Sequence, residues 1–542
     1  MNQPARTQTP VPAPAQTPAA APAQTPAQTP ALSSAGTAGR ASAEPIGTFC
    51  LVLHTHLPWV AHAGAWPVGE EWLYQAWTGA YLPVVDLLER LADTGRRNVL
   101  TLGVTPVLAA MVDDPYCLSG LAGWVADWQL RTQGALVDGV PGASYEGALA
   151  TRALRAVEGR WRHGASPLLR RLADAGVIEL LGGPASHPVL PLLDDRVVRT
   201  QLDAGLDDAT VRFGARLRGI WAPECAYRPG LEQHYADAGI THFVVDGPTV
   251  GGETAGAYDV AGSGVLAFPR DLGVSYEVWS PTAGYPAGAW YRDFHTFDHG
   301  SGLRVARVTS VDTPPELKAP YEAVAAQEAA GADAAHFVGV VRRRLTELAE
   351  ARDGRPALVV CAFDTELFGH HWHEGPAFLE AVLGLLPDAG VRVTTLSQAA
   401  AAGHVEGVRD LPAGSWGLGK DFHVWTDVTD LTKLASEVNE RLVEVVAAAA
   451  RPSERDDVLD QMAREAFLTG SSDWAFCVTH DSAASYARSR AYTHAGRFDA
   501  LADAVHGGDR LGAAKLARHY RTLDYPFPAL DARRITRAQE AP

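Results

Sequence analysis

The sequence has few cysteines, no cluster of cationic residues and no long apolar run, and each absence excludes a class of protein. Its five cysteines are scattered without a Cys-x-x-Cys pair and are odd in number, so neither a disulfide framework nor a cysteine-based zinc site is indicated. The formal charge is −17, from 46 Lys and Arg against 63 Asp and Glu, whereas a nucleic-acid partner would require a basic face. No apolar stretch approaches the ~18 residues that span a bilayer. We therefore expect a protein of a reducing, cytoplasmic compartment with neither nucleic acid nor membrane as a partner.

The chain is too uniform at its start, and too long overall, to be one domain. Its first 45 residues are mostly Ala, Pro, Gln and Thr, which cannot bury enough apolar surface to offset the entropy of ordering, and they lack the apolar core of a secretory signal. The remaining length exceeds what one hydrophobic core usually sustains. We predict a disordered tail over 1–45, a catalytic barrel over 46–405, an α-helical C-terminal domain over 406–530 and a loose tail over 531–542.

Several apolar, β-branched runs stop abruptly at polar side chains. Gly47–Leu53 runs into His54-Thr55-His56, and Ala357–Phe363 runs into Asp364-Thr365-Glu366. Strands of this kind alternate with helical patterns, which indicates an α/β fold with a closed parallel barrel or a doubly wound sheet. In such folds the carboxyl ends of the strands share one crevice. A helical pattern over about 107–175 predicts an insertion, and Val391–Leu396 resembles a last strand.

Two carboxylates at different strand ends provide the groups that cleave a glycosidic bond. Glu224 follows Trp221-Ala222-Pro223, and the proline favours an extended chain that projects the carboxylate from a stiff strand end. Asp364 ends the apolar run Ala357–Phe363. One carboxylate attacks the anomeric carbon while the other, with a raised pKa, protonates the leaving oxygen. We predict that Glu224 and Asp364 form this pair.

Two other functions fit parts of the pattern. His54 and His56 after a first strand, with Asp364 after a later one, are also typical of zinc-dependent amidohydrolases, in which imidazole and carboxylate hold the metal. A catalytically inactive glucan-binding protein is the other alternative, because the many tryptophans offer flat apolar faces that suit pyranose rings.

Five separated segments, in this order along the chain, resemble the signatures of glycoside hydrolase family 57, and within it those of the α-1,4-glucan branching enzymes. The segments are His54–Pro58, Gly182–Leu193, Trp221–Tyr227, Phe363–His370 and Ser471–Trp474. The resemblance implies a (β/α)7-type parallel barrel with a helical insertion and a C-terminal helical domain. It also implies a retaining mechanism without metal or cofactor, in which Glu224 is the nucleophile and Asp364 the general acid/base.

The resemblance further implies an α-glucan partner, such as amylose or a glycogen-like chain. Contacts to this glucan are expected from His54, Trp72, Trp279, Trp416, Trp425, Asp473 and Trp474. Four further residues of the matching segments are expected to bind it as well: His56, His187, Trp221 and His370.

One stretch departs from the pattern of the branching enzymes. These enzymes carry a mobile loop, tipped by a catalytic Tyr, between the nucleophile segment and the strand that leads to Trp279. Here the corresponding stretch, Gly247 to Gly264, is short and offers only Tyr258. The sequence therefore predicts a branching enzyme with Tyr258 as a candidate, and leaves an α-amylase-type hydrolase or a 4-α-glucanotransferase of the same family as alternatives.

Overall fold

The computed structural model describes residues 44–280, 283–449 and 454–536. The predicted tail over 1–45 lies almost entirely outside the described residues, and so does the second tail from residue 537 onward. Residues 531–536 are not loose, contrary to expectation. Ala532 and Ile535 are fully buried, and the Ala532 amide donates to Asp460 Oδ1 at 2.8 Å.

Ten strands of the described chain form one sheet. They are β1 (Gly47–Thr55), β2 (Leu100–Val104), β3 (Ile178–Gly182), β4 (Gly219–Ile220), β5 (His242–Asp246), β6 (Ala257–Val260), β7 (Leu266–Arg270), β8 (Ala357–Asp364), β9 (Val391–Thr394) and β10 (Val405–Arg409).

The described α-helices cover most of the chain between and after these strands. They are α1 (Glu70–Ala76), α2 (Leu82–Asp93), α3 (Pro106–Val112), α4 (Pro115–Val137), α5 (Ala143–Glu158), α6 (Ser166–Asp174), α7 (Asp195–Phe213), α8 (Leu231–Asp237), α9 (Leu272–Val278), α10 (Ala323–Glu350), α11 (Gly375–Asp388), α12 (Leu396–Ala401), α13 (His423–Thr426), α14 (Thr429–Ala448), α15 (Asp457–Thr469), α16 (Ser472–Thr479), α17 (Ala484–His506) and α18 (Arg510–Arg521).

Seven parallel strands close into a barrel. Their order is β7-β5-β4-β3-β2-β1-β8, each parallel to its neighbour. The Asp271 amide, just after β7, donates to the Val360 carbonyl of β8 at 2.8 Å and closes the ring. The run Ala357–Phe363 of β8 is wholly buried, as its β-branched sequence predicts. The α/β barrel inferred from the sequence is confirmed.

Three short strands lie outside this ring. β9 adds to β1, β6 pairs antiparallel with β7, and β10 pairs with β6. The expectation that Val391–Leu396 is the last strand is therefore wrong. The predicted domain boundary at 405/406 falls inside β10, whose pairing with β6 holds residues up to Arg409 on the sheet. β10 is largely exposed, so its sequence lacks the apolar run that indicates a strand.

Helices fill the two stretches where helical patterns predict them. α3 to α6 occupy the insertion between β2 and β3, and α4 begins with Asp114 accepting hydrogen bonds from the Tyr116 and Cys117 amides, with Pro115 at its first position. α14 to α18 follow the barrel. None of the described helices combines the length and the apolar composition that a bilayer crossing requires.

Candidate active site

The polar strand ends predicted from the sequence meet at the carboxyl end of the barrel. His54 of β1 stands opposite Asp364 of β8 in the strand register. Glu224 follows β4 in a short 3₁₀ turn, Pro223–Cys225. Its backbone adopts φ 63° and ψ 20°, a left-handed conformation that non-glycine residues rarely hold outside functional sites. The turn aims the Glu224 carboxylate into the mouth of the barrel.

Both oxygens of Glu224 accept a hydrogen bond. Ser472 Oγ donates to Oε1 at 2.7 Å, and Trp416 Nε1 donates to Oε2 at 2.8 Å. Ser472 begins α16, so a C-terminal helix reaches the barrel mouth. A carboxyl that accepts on both oxygens is favoured in its ionised form. This arrangement suits a nucleophile, which must carry the charge.

A chain of histidines lies behind Ser472. His187 Nδ1 is 3.0 Å from Ser472 Oγ, and His187 Nε2 is 3.0 Å from His54 Nε2. Because Ser472 donates its proton to Glu224, its oxygen accepts from His187 Nδ1–H. His187 Nε2 must then accept from His54 Nε2–H. The protons of the whole chain therefore point towards the Glu224 carboxylate.

Burial keeps His54 and His187 neutral, as this series of hydrogen bonds requires. Burial and the nearby charge of His187 and His56 hold the pKa of His54 well below its usual range. Burial and the charge of His56 do the same to the pKa of His187. The His54 ring also stacks on the indole of Trp221, with 4.3 Å between centroids.

His56 and Asp473 form an ion pair beside this chain. His56 Nε2 is 2.9 Å from Asp473 Oδ2. Burial lowers the pKa of His56, but the Asp473 carboxylate raises it further, and the net shift is upward. Burial raises and the His56 charge lowers the pKa of Asp473, which falls to about 2. Asp473 is thus anchored at the site by a cation from the barrel.

Asp364 and Glu366 form the opposite wall. Glu366 Oε1 accepts from the Tyr81 hydroxyl at 2.5 Å and from the His56 amide at 3.2 Å. Burial and the adjacent Asp364 charge raise the pKa of Glu366 to about 8. Asp364 is open to solvent at the end of β8, but the protein enclosing this strand end raises its pKa to about 6, against the lowering effects of His56 and Arg270. Two carboxyl groups here bind protons more tightly than ordinary acids.

Glu224 and Asp364 titrate as a pair. Burial raises the pKa of Glu224 to about 7, the Ser472 and Trp416 donors oppose this, and the charges of Asp473 and Asp364 add to it. Because like charges disfavour double ionisation, the two carboxyls together retain about one proton near neutral pH. With both donors in place, Glu224 still has the higher pKa of the two, about 7 against about 6 for Asp364, so in the free site the shared proton resides mainly on Glu224. Retaining cleavage uses the other arrangement, a charged Glu224 and a protonated Asp364, which the two donors on Glu224 favour and which is the minor form of the free site.

A glycine fixes the position of Tyr81. The π-helix Trp77–Tyr81 passes so close to Gly369 that a Cβ at this glycine would lie 1.9 Å from the Gly79 carbonyl oxygen. Gly369 also has φ +120°, which side chains disfavour. The contact brings the Tyr81 hydroxyl to Glu366. The sequence does not indicate Tyr81 or Ser472 as site residues, although Ser472 stands next to the predicted Asp473.

The predicted aromatic residues divide into two groups. Trp72 and His370 are half-buried and line the cavity at the barrel mouth, and Trp279 is 53% exposed. Trp416 is half-buried and holds Glu224. These four side chains are available to a ligand.

Three of the predicted tryptophans are covered by protein. Trp221 and Trp474 are 1% exposed and Trp425 is 3% exposed. Trp474 Nε1 donates to the Leu468 carbonyl, and Trp425 and Trp474 pack in one apolar cluster. Their faces pack against other side chains, so a direct contact of these three residues with glucan stays a prediction.

Tyr258 does not join the site. It lies on β6 opposite Ala267, at the start of β7, which is the amino end of the barrel. Its hydroxyl donates to the Glu253 carbonyl at 3.0 Å, and the Arg409 guanidinium covers its ring. The expectation that Tyr258 replaces the loop-tip tyrosine is wrong, because the stretch Gly247 to Gly264 forms a turn and a strand at the amino end of the barrel, away from Glu224 and Asp364.

The described residues do not bring together the metal ligands of the zinc alternative. His56, His187 and Asp473 place one potential ligand atom each within 4.8 Å of one another, but His54 and Asp364, which the amidohydrolase alternative requires beside His56, do not belong to such a group. His54 Nε2 lies instead 3.0 Å from His187 Nε2. The zinc hypothesis in that form does not fit the geometry.

A parallel barrel with paired carboxyls at the strand ends belongs to the class of glycoside-cleaving enzymes, and the comparisons agree. The family model described as glycosyl hydrolase family 57 matches residues 50–278, and the model described as 1,4-alpha-glucan branching enzyme, C-terminal, matches residues 435–534. A probable 1,4-alpha-glucan branching enzyme of Mycobacterium tuberculosis is 52% identical over 91% of this chain and 99% of its own length. The chain belongs to glycosyl hydrolase family 57.

Solved structures give the same result. The GH57 branching enzyme of Thermococcus kodakaraensis, crystallised with glucose, superposes with a TM-score of 0.85 at 31% identity, over 92% of this chain and 97% of that one. The GH57-type branching enzyme of Pyrococcus horikoshii gives 0.84 at 29% identity, over 92% and 98%. The α-amylase AmyC of Thermotoga maritima gives 0.81 at 25% identity, over 91% and 99%.

Proposed function

We propose that this protein is a 1,4-α-glucan branching enzyme that uses Glu224 as nucleophile and Asp364 as general acid/base. The proposal rests on one arrangement above all: Glu224 accepts hydrogen bonds on both oxygens, from Ser472 and Trp416, while Asp364 lies on the facing strand end with a raised pKa. The kinship with the M. tuberculosis branching enzyme, at 52% identity, gives the substrate class. Its substrate is an α-glucan.

The geometry supports a double displacement. The Glu224 carboxylate attacks the anomeric carbon while Asp364 gives its proton to the oxygen of the departing chain. A glucosyl ester then links the glucan to Glu224. Asp364, now ionised, takes the proton of the 6-hydroxyl of a second glucan chain as that oxygen attacks the same carbon. An α-1,6 branch forms and Glu224 is released as a carboxylate, so each proton and each bond is accounted for.

We further propose a cytoplasmic location. All five cysteines are free and buried, and such thiols are typical of proteins from reducing compartments.

A second outcome of the same chemistry is hydrolysis by water in place of the acceptor, as in an α-amylase. One observation favours it: the stretch Gly247 to Gly264 forms a 3₁₀ turn and β6 at the amino side of the barrel, and so supplies no cover for the glucosyl ester against water.

The test is incubation of the purified protein with amylose, followed by proton NMR of the product. New α-1,6 linkage signals are expected; new reducing ends without α-1,6 signals would identify a hydrolase instead. Glu224→Gln keeps the size and loses the nucleophile, and should abolish both products by several orders of magnitude. Glu328→Gln, an exposed position on α10, is the matched control and should behave as wild type. Retained activity in Glu224→Gln would place the nucleophile elsewhere.

A further inference from the structure

A large cavity adjoins the acid/base side of the active site. Its volume is about 1430 Å³, more than a drug-sized ligand fills and enough for an oligosaccharide. Glu366 and Asp473 line one end of it, and these residues flank Asp364. The cavity extends from there to α4 and α5 of the helical insertion and to the segment 292–304. The tryptophan that holds Glu224, Trp416, is not among the lining residues.

The chemistry of the proposed function indicates which glucan chains this cavity receives. Asp364 protonates the oxygen of the departing chain, and the same carboxyl later takes the proton of the acceptor hydroxyl. Both chains must therefore approach from the side of Asp364, one after the other. Neither Asp364 nor Glu224 lines the cavity, but Glu366, two residues from Asp364, does, so a chain on the Asp364 side of the site can extend into it.

The cavity wall is equipped for a sugar chain. Trp124 and Trp128 of α4 lie 5.7 Å apart between centroids. Their indole N–H groups donate to Glu71 at 2.7 Å and to Glu146 at 3.2 Å, which fixes the orientation of both rings. Fixed aromatic faces with polar neighbours are suited to the apolar faces of pyranoses.

Arg304 is the unusual residue of this wall. Its guanidinium lies over Phe294, at 4.5 Å, and over Phe297, at 4.7 Å. It donates to Gln75 Oε1 at a long 3.4 Å, and its Nε has no hydrogen-bond partner among the described residues. No carboxylate lies within ion-pair distance of it in the described ranges, whereas Arg131 and Arg292 of the same wall are paired. The Nε itself is buried and out of a ligand's reach, but a half-buried cation held by one long hydrogen bond is costly unless a ligand contacts its terminal nitrogens.

We propose that this cavity holds the departing glucan chain and then the acceptor chain, and that Arg304 anchors them by donating hydrogen bonds to glucosyl hydroxyls. The inference rests on the proposed function and adds the location of the second substrate. The planar fork of the guanidinium can donate to two neighbouring hydroxyls of one sugar, and the two phenylalanine rings hold it in place.

The first experiment measures binding without turnover. Calorimetric titration with maltoheptaose compares Glu224→Gln with the double variants that add Arg304→Met or Arg307→Met. Loss of the Arg304 donors should weaken binding about tenfold, the value of one or two hydrogen bonds. Arg307 is the matched control, because it also stacks on an aromatic ring, Trp290 at 4.4 Å, but does not line the cavity. Equal affinity in all three proteins would overturn the inference.

The second experiment separates acceptor binding from cleavage. A p-nitrophenyl α-maltooligoside has a small leaving group, so its cleavage does not require the far part of the cavity. Arg304→Met should lower the ratio of maltoheptaose transfer product to released nitrophenol about tenfold. An equal fall in nitrophenol release would place Arg304 on the donor side and overturn the inference. Arg304→Lys keeps the charge but loses the fork. A similar fall in transfer by this variant would show that the result does not come from a folding defect of the methionine variant.

Failure of the proposed function would be recognised separately. Wild-type protein that forms no α-1,6 linkage from amylose would overturn branching. A tenfold affinity difference between the Arg304 and Arg307 variants would still support the cavity as the site of the departing chain.

Discussion

Replacement of Ser472 by Ala is expected to shift the acidic limb of activity to higher pH. The Ser472 hydroxyl donates to Glu224 Oε1 at 2.7 Å, and a hydrogen bond to a charged group is worth about 1.5–3 kcal/mol. Because this donor favours the ionised carboxylate, its loss raises the pKa of Glu224. At 1.36 kcal/mol per pKa unit, the shift is about one to two units above the present value of about 7.

The size of the rate effect follows from the ionised fraction. At a pH below the pKa, each unit of upward shift lowers the fraction of ionised Glu224 about tenfold. We therefore expect kcat/KM for a p-nitrophenyl α-maltooligoside to fall about 10- to 100-fold relative to wild type at pH 6. This ratio should recover in part at pH 8 to 9, where both proteins also lose activity because Asp364, with a pKa of about 6, is ionised. The pH profile of kcat/KM reports the free enzyme, in which this hydrogen bond is seen.

Two further variants make the result decisive. Ser472→Thr retains the hydroxyl and should restore most of the activity at pH 6, whereas Ser489→Ala, at an exposed position of α17, should change nothing. A Ser472→Ala protein that keeps the wild-type melting temperature and the wild-type acidic limb would refute the role of Ser472 in holding the Glu224 charge.

Three other changes follow from the site geometry. Trp416→Phe removes the second donor to Glu224, at 2.8 Å, and should lower kcat/KM about tenfold, measured with the same substrate; an unchanged rate would contradict it. Asp473→Asn removes the partner of His56. Because the pKa of Asp473 is lowered from 3.8 to about 2, the free energy of unfolding should fall by about 2 kcal/mol at pH 5. This loss should shrink as the pH falls towards about 2, where Asp473 is protonated, and as it rises past the raised pKa of His56; urea unfolding across pH tests this, and a pH-independent loss would argue against the ion pair. Tyr258→Phe should leave branching and hydrolysis of amylose within about twofold of wild type, because its lost hydrogen bond affects stability by only about 1 kcal/mol; a large loss of branching would return Tyr258 to the reaction.

The residues at the strand ends could be predicted because local sequence determines them. A buried β-branched run such as Ala357–Phe363 can only be an inner strand, and the carboxyl ends of parallel strands must converge. The sequence therefore assigns His54, Glu224 and Asp364 to one crevice. The exposed strand β10 carries no such buried run and is not predicted, because pairing with β6 and not burial determines it.

The contacts that define the electrostatics of the site could not be predicted in this way. Ser472 reaches Glu224 across 248 positions of sequence, and Asp473 reaches His56 across 417. Such contacts depend on how α16 docks on the barrel, which no periodicity records. The tryptophans show the same limit, because nothing in their local sequence indicates that Trp474 is buried while Trp416 is half-open.

The long-range contacts also imply that the C-terminal helices belong to the catalytic machinery. Of the two donors to Glu224, Ser472 begins α16 and Trp416 follows the last strand of the sheet. Without them the buried Glu224 would have only the influences that raise its pKa, namely burial and the charges of Asp473 and Asp364. It would then bind a proton and lose its nucleophilicity. The barrel supplies the two carboxyls, but the charge on Glu224 is set by residues that follow the barrel in sequence, so neither part of the chain can hold the working site alone.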